Sequence, residues 1–238
     1  MNAWELKWKR YSKVRILDIR YVCQKLKVVN SGKCPFKALA LIDRLGLYDT
    51  IFSDPANAVL TAPDLDYWQQ AYLFLRSVLC RTDQDTSSLT DSHSRIQSIL
   101  IRGAEEAYLA WLLAALTPWA IHQAPPTGKP GRKKIQPMAA VVAREGLKVN
   151  NRISEVITGA CTNWEEISKL VINRKYSPKE DTCSEIIDST DRSALGMSIR
   201  RWGFNWRYHV LFALLLDLKR IGNDTQGSSI SPQSYRRL

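Results

Sequence analysis

Apolar positions along this chain recur at helical spacing, and no stretch shows the strict period of two that marks a strand. The first clear pattern opens at Pro35. A helix tolerates proline in its first turn because the missing N–H has no intrahelical partner there. Ala38, Leu39, Leu41, Ile42 and Leu45 then supply an apolar face, and Gly46 closes it. Residues 47–52 follow, ahead of a turn at Ser53-Asp54-Pro55. A second helix is predicted after Pro63, running to about residue 81, with Trp68, Ala71, Tyr72, Leu75 and Leu79 on one face. The polar stretch 82–92 reads as a loop. Helices over 94–101 and 104–122 come next, the latter very apolar.

The main break in the pattern is 123–136. Pro125, Pro126, Gly128, Pro130 and Gly131 cannot continue a helix. Helical patterns resume over 138–145, 152–174, 178–201 and 210–220. Val210 to Leu216 is apolar on every side, which predicts a buried helix. No internal repeat of fixed period is present. These patterns predict an all-α fold of helices packed on helices. The expected divisions are a divergent basic segment (1–34), a helical region (35–123), a basic Pro/Gly linker (124–136), a second helical region (137–221) and a flexible C-terminus (222–238).

Composition adds a partner class. The 238 residues allow one large domain or two small ones, and 45% hydrophobic content with eight tryptophans supplies a real core. A formal charge of +11 and a pI near 9.5 call for an anionic partner. No apolar run reaches the roughly 18 residues that a membrane span needs, so no membrane role is expected. The five cysteines, Cys23, Cys34, Cys80, Cys161 and Cys183, are scattered without a CxxC pair. That pattern indicates neither zinc nor a disulfide framework and fits a reducing compartment. The expected residence is therefore inside the cell: mitochondrial, cytoplasmic or nuclear, and not secreted.

The positive charge is concentrated. Residues 1–27 carry eight Lys/Arg against Glu5 and Asp18, interleaved with Trp4, Trp8, Tyr11 and Tyr21. From Lys129 to Arg152 there are seven basic residues and one acid, including Lys129, Arg132, Lys133, Lys134, Arg144 and Lys148. A basic, Gly/Pro-rich loop here is either a phosphate contact or a solvated linker. The densest cluster is 200–209, where Arg200, Arg201 and Arg207 alternate with Trp202, Phe204, Trp206 and Tyr208 around Gly203. Arginine forks suit phosphates, and aromatic faces suit bases. Trp202 either stacks on a base or packs into the core.

Catalytic and metal-binding candidates are few. Asp64-Leu65-Asp66 has DxD spacing but sits at a predicted helix start, where acids favour the helix dipole. Asp83 and Asp85 lie in the polar loop. His93, His122 and His209 lie far apart with no Cys or Asp at ligand spacing. No catalytic residue and no metal ligand is assigned.

Three stretches together carry a family resemblance. They are Lys37-Ala38-Leu39-Ala40-Leu41-Ile42-Asp43-Arg44-Leu45-Gly46-Leu47-Tyr48-Asp49-Thr50-Ile51-Phe52, then Val141-Val142-Ala143-Arg144-Glu145-Gly146-Leu147-Lys148, then Leu195-Gly196-Met197-Ser198-Ile199-Arg200-Arg201-Trp202-Gly203. In order and spacing they resemble the helical C-terminal part of fungal CCA-adding enzymes, the class II tRNA nucleotidyltransferases. The likeness covers roughly residues 35–220. It implies helical body and tail domains that grip tRNA, in an enzyme that adds the CCA end from CTP and ATP. In that family the chemistry belongs to a head with a GG/GS turn, a DxD pair for two Mg²⁺ ions and an EDxxR element. No GG or GS stands before Pro35 and there is no EDxxR, and the DxD spacing of Asp64-Leu65-Asp66 falls at a predicted helix start instead of on a strand behind a glycine turn. The resemblance thus implies a tRNA-binding portion without the catalytic head, inactive alone, with Mg²⁺, CTP and ATP expected only in the full enzyme. A missing or separate head is the other expected partner. The RNA contacts it implies are Lys129, Arg132, Lys133, Lys134, Arg144, Lys148, Arg200, Arg201, Trp202 and Arg207. The alternative is a stand-alone helical RNA-binding or protein-interaction module without catalysis.

Overall fold

The computed structural model describes residues 35–54, 62–80, 88–125, 135–176 and 192–223. Among these the fold is all-α, as the hydrophobic spacing predicts. The helices are α1 (Pro35–Arg44), α2 (Tyr48–Ile51), α3 (Trp68–Leu79), α4 (Ser88–Leu100), α5 (Ala104–Leu116), α6 (Met138–Val141), α7 (Asn151–Tyr176), α8 (Arg192–Trp202) and α9 (Trp206–Asn223). A 3₁₀ turn, Thr117–Trp119, extends α5, and a π-turn, Val142–Gly146, follows α6.

Helix α9 is the axis of the molecule. It packs on α7 along much of its length and also touches α3, α4 and α5. Every residue from Val210 to Leu216 is at most 4% exposed, which explains a sequence apolar on all sides. One hydrophobic core therefore runs from Leu39 through Trp68 and Leu113 to Ile157 and Leu214. The helical regions on either side of 124–136 do not have separate cores. At that break, Ala124 N–H donates to Gln136 O (2.9 Å) and Met138 N–H to His122 O (2.8 Å). These bonds hold together the two ends of the basic segment, whose residues 126–134 lie outside the described residues.

The apolar C-terminus of α5 is buried, and its last carbonyls have no partners within the helix. Side chains from elsewhere supply them. Tyr48 Oη donates to Ala115 O (2.7 Å), and Trp68 Nε1 and Thr117 Oγ1 donate to Ala114 O (2.8 and 3.0 Å). Trp119 Nε1 donates to Phe52 O (2.8 Å). Tyr48, Phe52, Trp68 and Tyr72 stack edge to face or tilted, with ring centroids 4.7–5.3 Å apart between successive partners. The motif stretch 37–52 thus wraps the end of α5.

Several boundaries differ from the sequence reading. Helix α3 starts at Trp68, not directly after Pro63, because Tyr67 is left-handed (φ 53°) and Asp64 N–H is taken by Pro118 O (3.1 Å). Helix α4 already runs from Ser88, inside the stretch expected to be a loop. Its apolar end, Ile96 and Leu100, packs inward, and tertiary packing outweighs weak local propensity. On α1, Leu39 and Ile42 are buried and Leu41 is exposed, as is Leu45 in the turn just after the helix. Leu41 lies off the 39/42 face that meets α3. Helix α9 starts at Trp206, four residues before the expected Val210. The expected helix 178–201 is described only from Arg192.

Candidate functional site

Two glycines in left-handed conformation place the motif stretches. Gly46 (φ +61°) ends α1 with Leu47 N–H bonded to Ile42 O and Gly46 N–H to Asp43 O, both 3.0 Å. This is the double bond pattern of a glycine C-cap. Gly203 (φ +76°) does the same work between α8 and α9, its N–H reaching Ile199 O and Arg200 O at 3.1 Å. The turn it makes sorts the basic-aromatic cluster by direction. Trp202 goes inward, Trp206 and Tyr208 are half-buried, His209 is buried, and Phe204 is left with its whole surface in solvent (104% of the reference).

Trp202 is 4% exposed, and its Nε1 faces Glu166 (3.4 Å). Of the two roles left open by the sequence, it fills the packing one, and a ring so covered has no face for a base. Arg200 and Arg201 occupy the last turn of α8 and are exposed. Arg201 pairs with Glu166 (3.2 Å), while Arg200 has no acidic partner among the described residues. Arg144 and Lys148 converge on Glu145 from either side, at 2.8 and 3.3 Å. Their bonds, Arg144 first, hold the Glu145 carboxyl below the usual range. Lys129, Arg132, Lys133 and Lys134 lie outside the described residues, so their placement is not part of this geometry.

Arg207 is the member of the set that lines the larger of two clefts. A depression of about 760 Å³ lies where α5, α7 and α9 all begin. Its lining includes Glu105 and Glu106 from α5, Asn150 and Arg152 from the start of α7, and Phe204, Asn205, Arg207 and Tyr208 from the start of α9. Asn150 caps α7, its Oδ1 accepting from Ile153 N–H (2.8 Å). Arg207 stands 3.9 Å from Glu106, a loose pair. Arg144 belongs to a smaller cleft of about 390 Å³ with Gln136, Asn151, Ser154, Glu155 and Thr158. Because α7 turns about 100° per residue, residues 152, 153 and 156 line the first cleft and 151, 154, 155 and 158 the second. The start of α7 is thus a wall between two clefts, each holding one of the predicted arginines.

Sequence reasoning did not mark Arg152 as a contact, nor assign Phe204 a role of its own. The signal for Arg152 was its place just after the capping Asn150. The direction of Phe204 follows from Gly203 and is not readable from composition.

Asp64 and His209 take structural partners, and Asp83 and Asp85 lie outside the described residues. Asp64 Oδ2 meets Lys219 Nζ at 2.5 Å, and Asp64 Oδ1 accepts from Asp66 N–H (3.1 Å). His209 Nδ1 lies 3.1 Å from the Asn163 amide nitrogen, and burial pushes the ring down to a pKa of about 4. Among the described residues no group of three or more His, Cys, Asp or Glu could hold a metal ion. Among them, too, no helix is long and apolar enough to cross a membrane.

No family model matches the chain, and no solved structure matches it. Among curated proteins it is 35% identical over 184 residues to nucleotidyltransferase lcsQ of Purpureocillium lilacinum. The match covers 76% of this chain and 28% of that relative, so the chain spans well under a third of the relative's length. Over three quarters of its residues, then, this helical chain is related to a nucleotidyltransferase.

Proposed function

We propose that the chain is the tRNA-binding helical portion of a CCA-adding tRNA nucleotidyltransferase. The transfer of CMP and AMP units, with its Mg²⁺, CTP and ATP, belongs to a catalytic head, and the Asp64 of this chain's own DxD spacing is instead paired with Lys219. The observation that carries the reading is the α8–α9 corner. There the motif 195–203 carries two exposed arginines in the last turn of α8, and Arg207 follows across Gly203 within a chain of charge +11. Such a surface suits the regular phosphates of a duplex acceptor stem, which proteins read by shape and backbone. Little discrimination among tRNA species follows from that mode. The exposed Leu41 on the motif helix α1 and Leu45 just after it offer a contact for the head.

A gel-shift titration with tRNA lacking its CCA end tests the reading. The wild-type chain is expected to retard the tRNA at low salt. The double variant Arg200→Glu, Arg201→Glu is expected to weaken binding at least about tenfold, as reversing two phosphate contacts should. Equal affinity of the two proteins would refute it. The other reading, a helical protein-interaction module, draws on the exposed Met197 and Phe204 and predicts no tRNA retention at any salt.

A further inference from the structure

Apart from Arg207, the groups of the 760 Å³ cleft are not used by the duplex-binding reading. An aromatic ring that is fully exposed is not there for packing. Phe204 stands at the rim, held outward by the glycine turn while Trp202 beside it is buried. The apolar part of the lining comes from Leu109, Ile153 and Val156, together with the half-buried Tyr208. On the rim, Arg152 and Arg207 supply cationic forks, and Asn150 and Asn205 supply amides able both to donate and to accept. Glu105 and Glu106, which only accept, share the lining, and Glu106 stands 3.9 Å from Arg207.

The geometry points to an unpaired nucleotide as the occupant of this cleft. The base stacks on Phe204 and enters over the apolar lining, as single-stranded nucleic acids do on aromatic platforms. Its phosphate lies against Arg152 and Arg207 and takes the Arg207 fork from its loose pair with Glu106. The carboxylates instead accept hydrogen bonds from an exocyclic amino group, present on cytosine, adenine and guanine and absent from uracil. The volume is within the range of small-ligand sites, about 300–1,000 Å³. This inference rests on the RNA-binding reading above and extends it from duplex phosphates to one flipped or single-stranded base. The nucleotide comes from the RNA strand, whose flanking phosphates can reach the exposed Arg200 and Arg201.

The test uses a short single-stranded RNA with one 2-aminopurine, the same strand annealed to its complement, and free cytidine monophosphate. Wild-type chain is expected to quench the 2-aminopurine of the single strand. Phe204→Ala is expected to abolish the quench and weaken single-strand binding about tenfold, leaving duplex affinity unchanged. Phe204→Trp keeps both, and Arg152→Gln weakens the single strand alone. Undiminished quench and affinity in Phe204→Ala would overturn the inference while leaving duplex binding intact. Binding of free cytidine monophosphate without binding of the strand would overturn the strand as its source. Absence of binding to every RNA would overturn the underlying RNA reading as well.

Discussion

Lys219, on the last turns of α9, places its ammonium 2.5 Å from the Asp64 carboxylate in the turn before α3. Lys219 is 5% exposed. A buried ammonium is tolerated only when paired, so Asp64 is tied to the architecture. The pair joins the two parts of the chain that flank the 124–136 break.

Asp64→Asn should therefore destabilise the fold by leaving a buried charge uncompensated. Full burial of both partners would make this about 3–5 kcal/mol. The Asp64 side chain is 34% exposed, and solvent screening lowers the expectation to about 2 kcal/mol. Urea unfolding of Asp64→Asn, Lys219→Met and the double variant reads it. The double variant should recover stability relative to Asp64→Asn, and purely additive losses would show that the pair is not coupled.

His209 predicts a pH dependence. Burial lowers its pKa from 6.5 to about 4, so the folded chain holds the ring neutral where the unfolded chain protonates it. Stability from this group is fully present above pH 6.5 and is lost as pH falls from there to about 4. Through that window the unfolded state binds the extra proton, with a slope of at most about 1.4 kcal/mol per pH unit. His209→Gln should flatten the urea-midpoint profile over this range relative to wild type. Parallel profiles would contradict the assignment.

Trp202 separates packing from recognition. With 4% of its surface exposed, its truncation to alanine should cost about 3–5 kcal/mol, the usual range for a buried tryptophan. Trp202→Phe should lose much less and bind RNA like wild type. A Trp202→Phe chain that melts normally yet binds RNA poorly would restore the stacking role.

The all-α fold and the burial of Val210–Leu216 were legible because a helix apolar on all sides has to be enclosed. The motif 37–52 was legible as a unit, but its work was not. Tyr48 reaches the Ala115 carbonyl across 67 residues, a pairing no local pattern encodes. Asp64 shows the same limit. Its DxD spacing and place before a helix were visible, whereas Lys219, the partner that settles its use, is far along the chain. The site was half legible. Composition marked 200–209 as basic and aromatic, but one left-handed glycine sends Trp202 inward and Phe204 outward. Arg152 stayed hidden because it reaches the cleft through the packing of α7 on α9.

Arg200 and Arg201 differ in a way RNA binding should report. Arg201 is already paired with Glu166, while Arg200 has no acidic partner among the described residues. Arg200→Ala should lower the salt dependence of tRNA binding by about 0.9 in log–log slope, the share of one phosphate contact. Arg201→Ala should change it less. The reverse order, measured by fluorescence anisotropy, would place the phosphate contact on Arg201.

Salt dependence of tRNA affinity tests the central claim most directly. If the chain grips the acceptor stem through its arginines and lysines, raising salt from about 50 to about 200 mM should lower affinity on the order of a hundredfold, as expected for about four phosphate contacts. An affinity that stays level across that range would contradict tRNA binding by this surface.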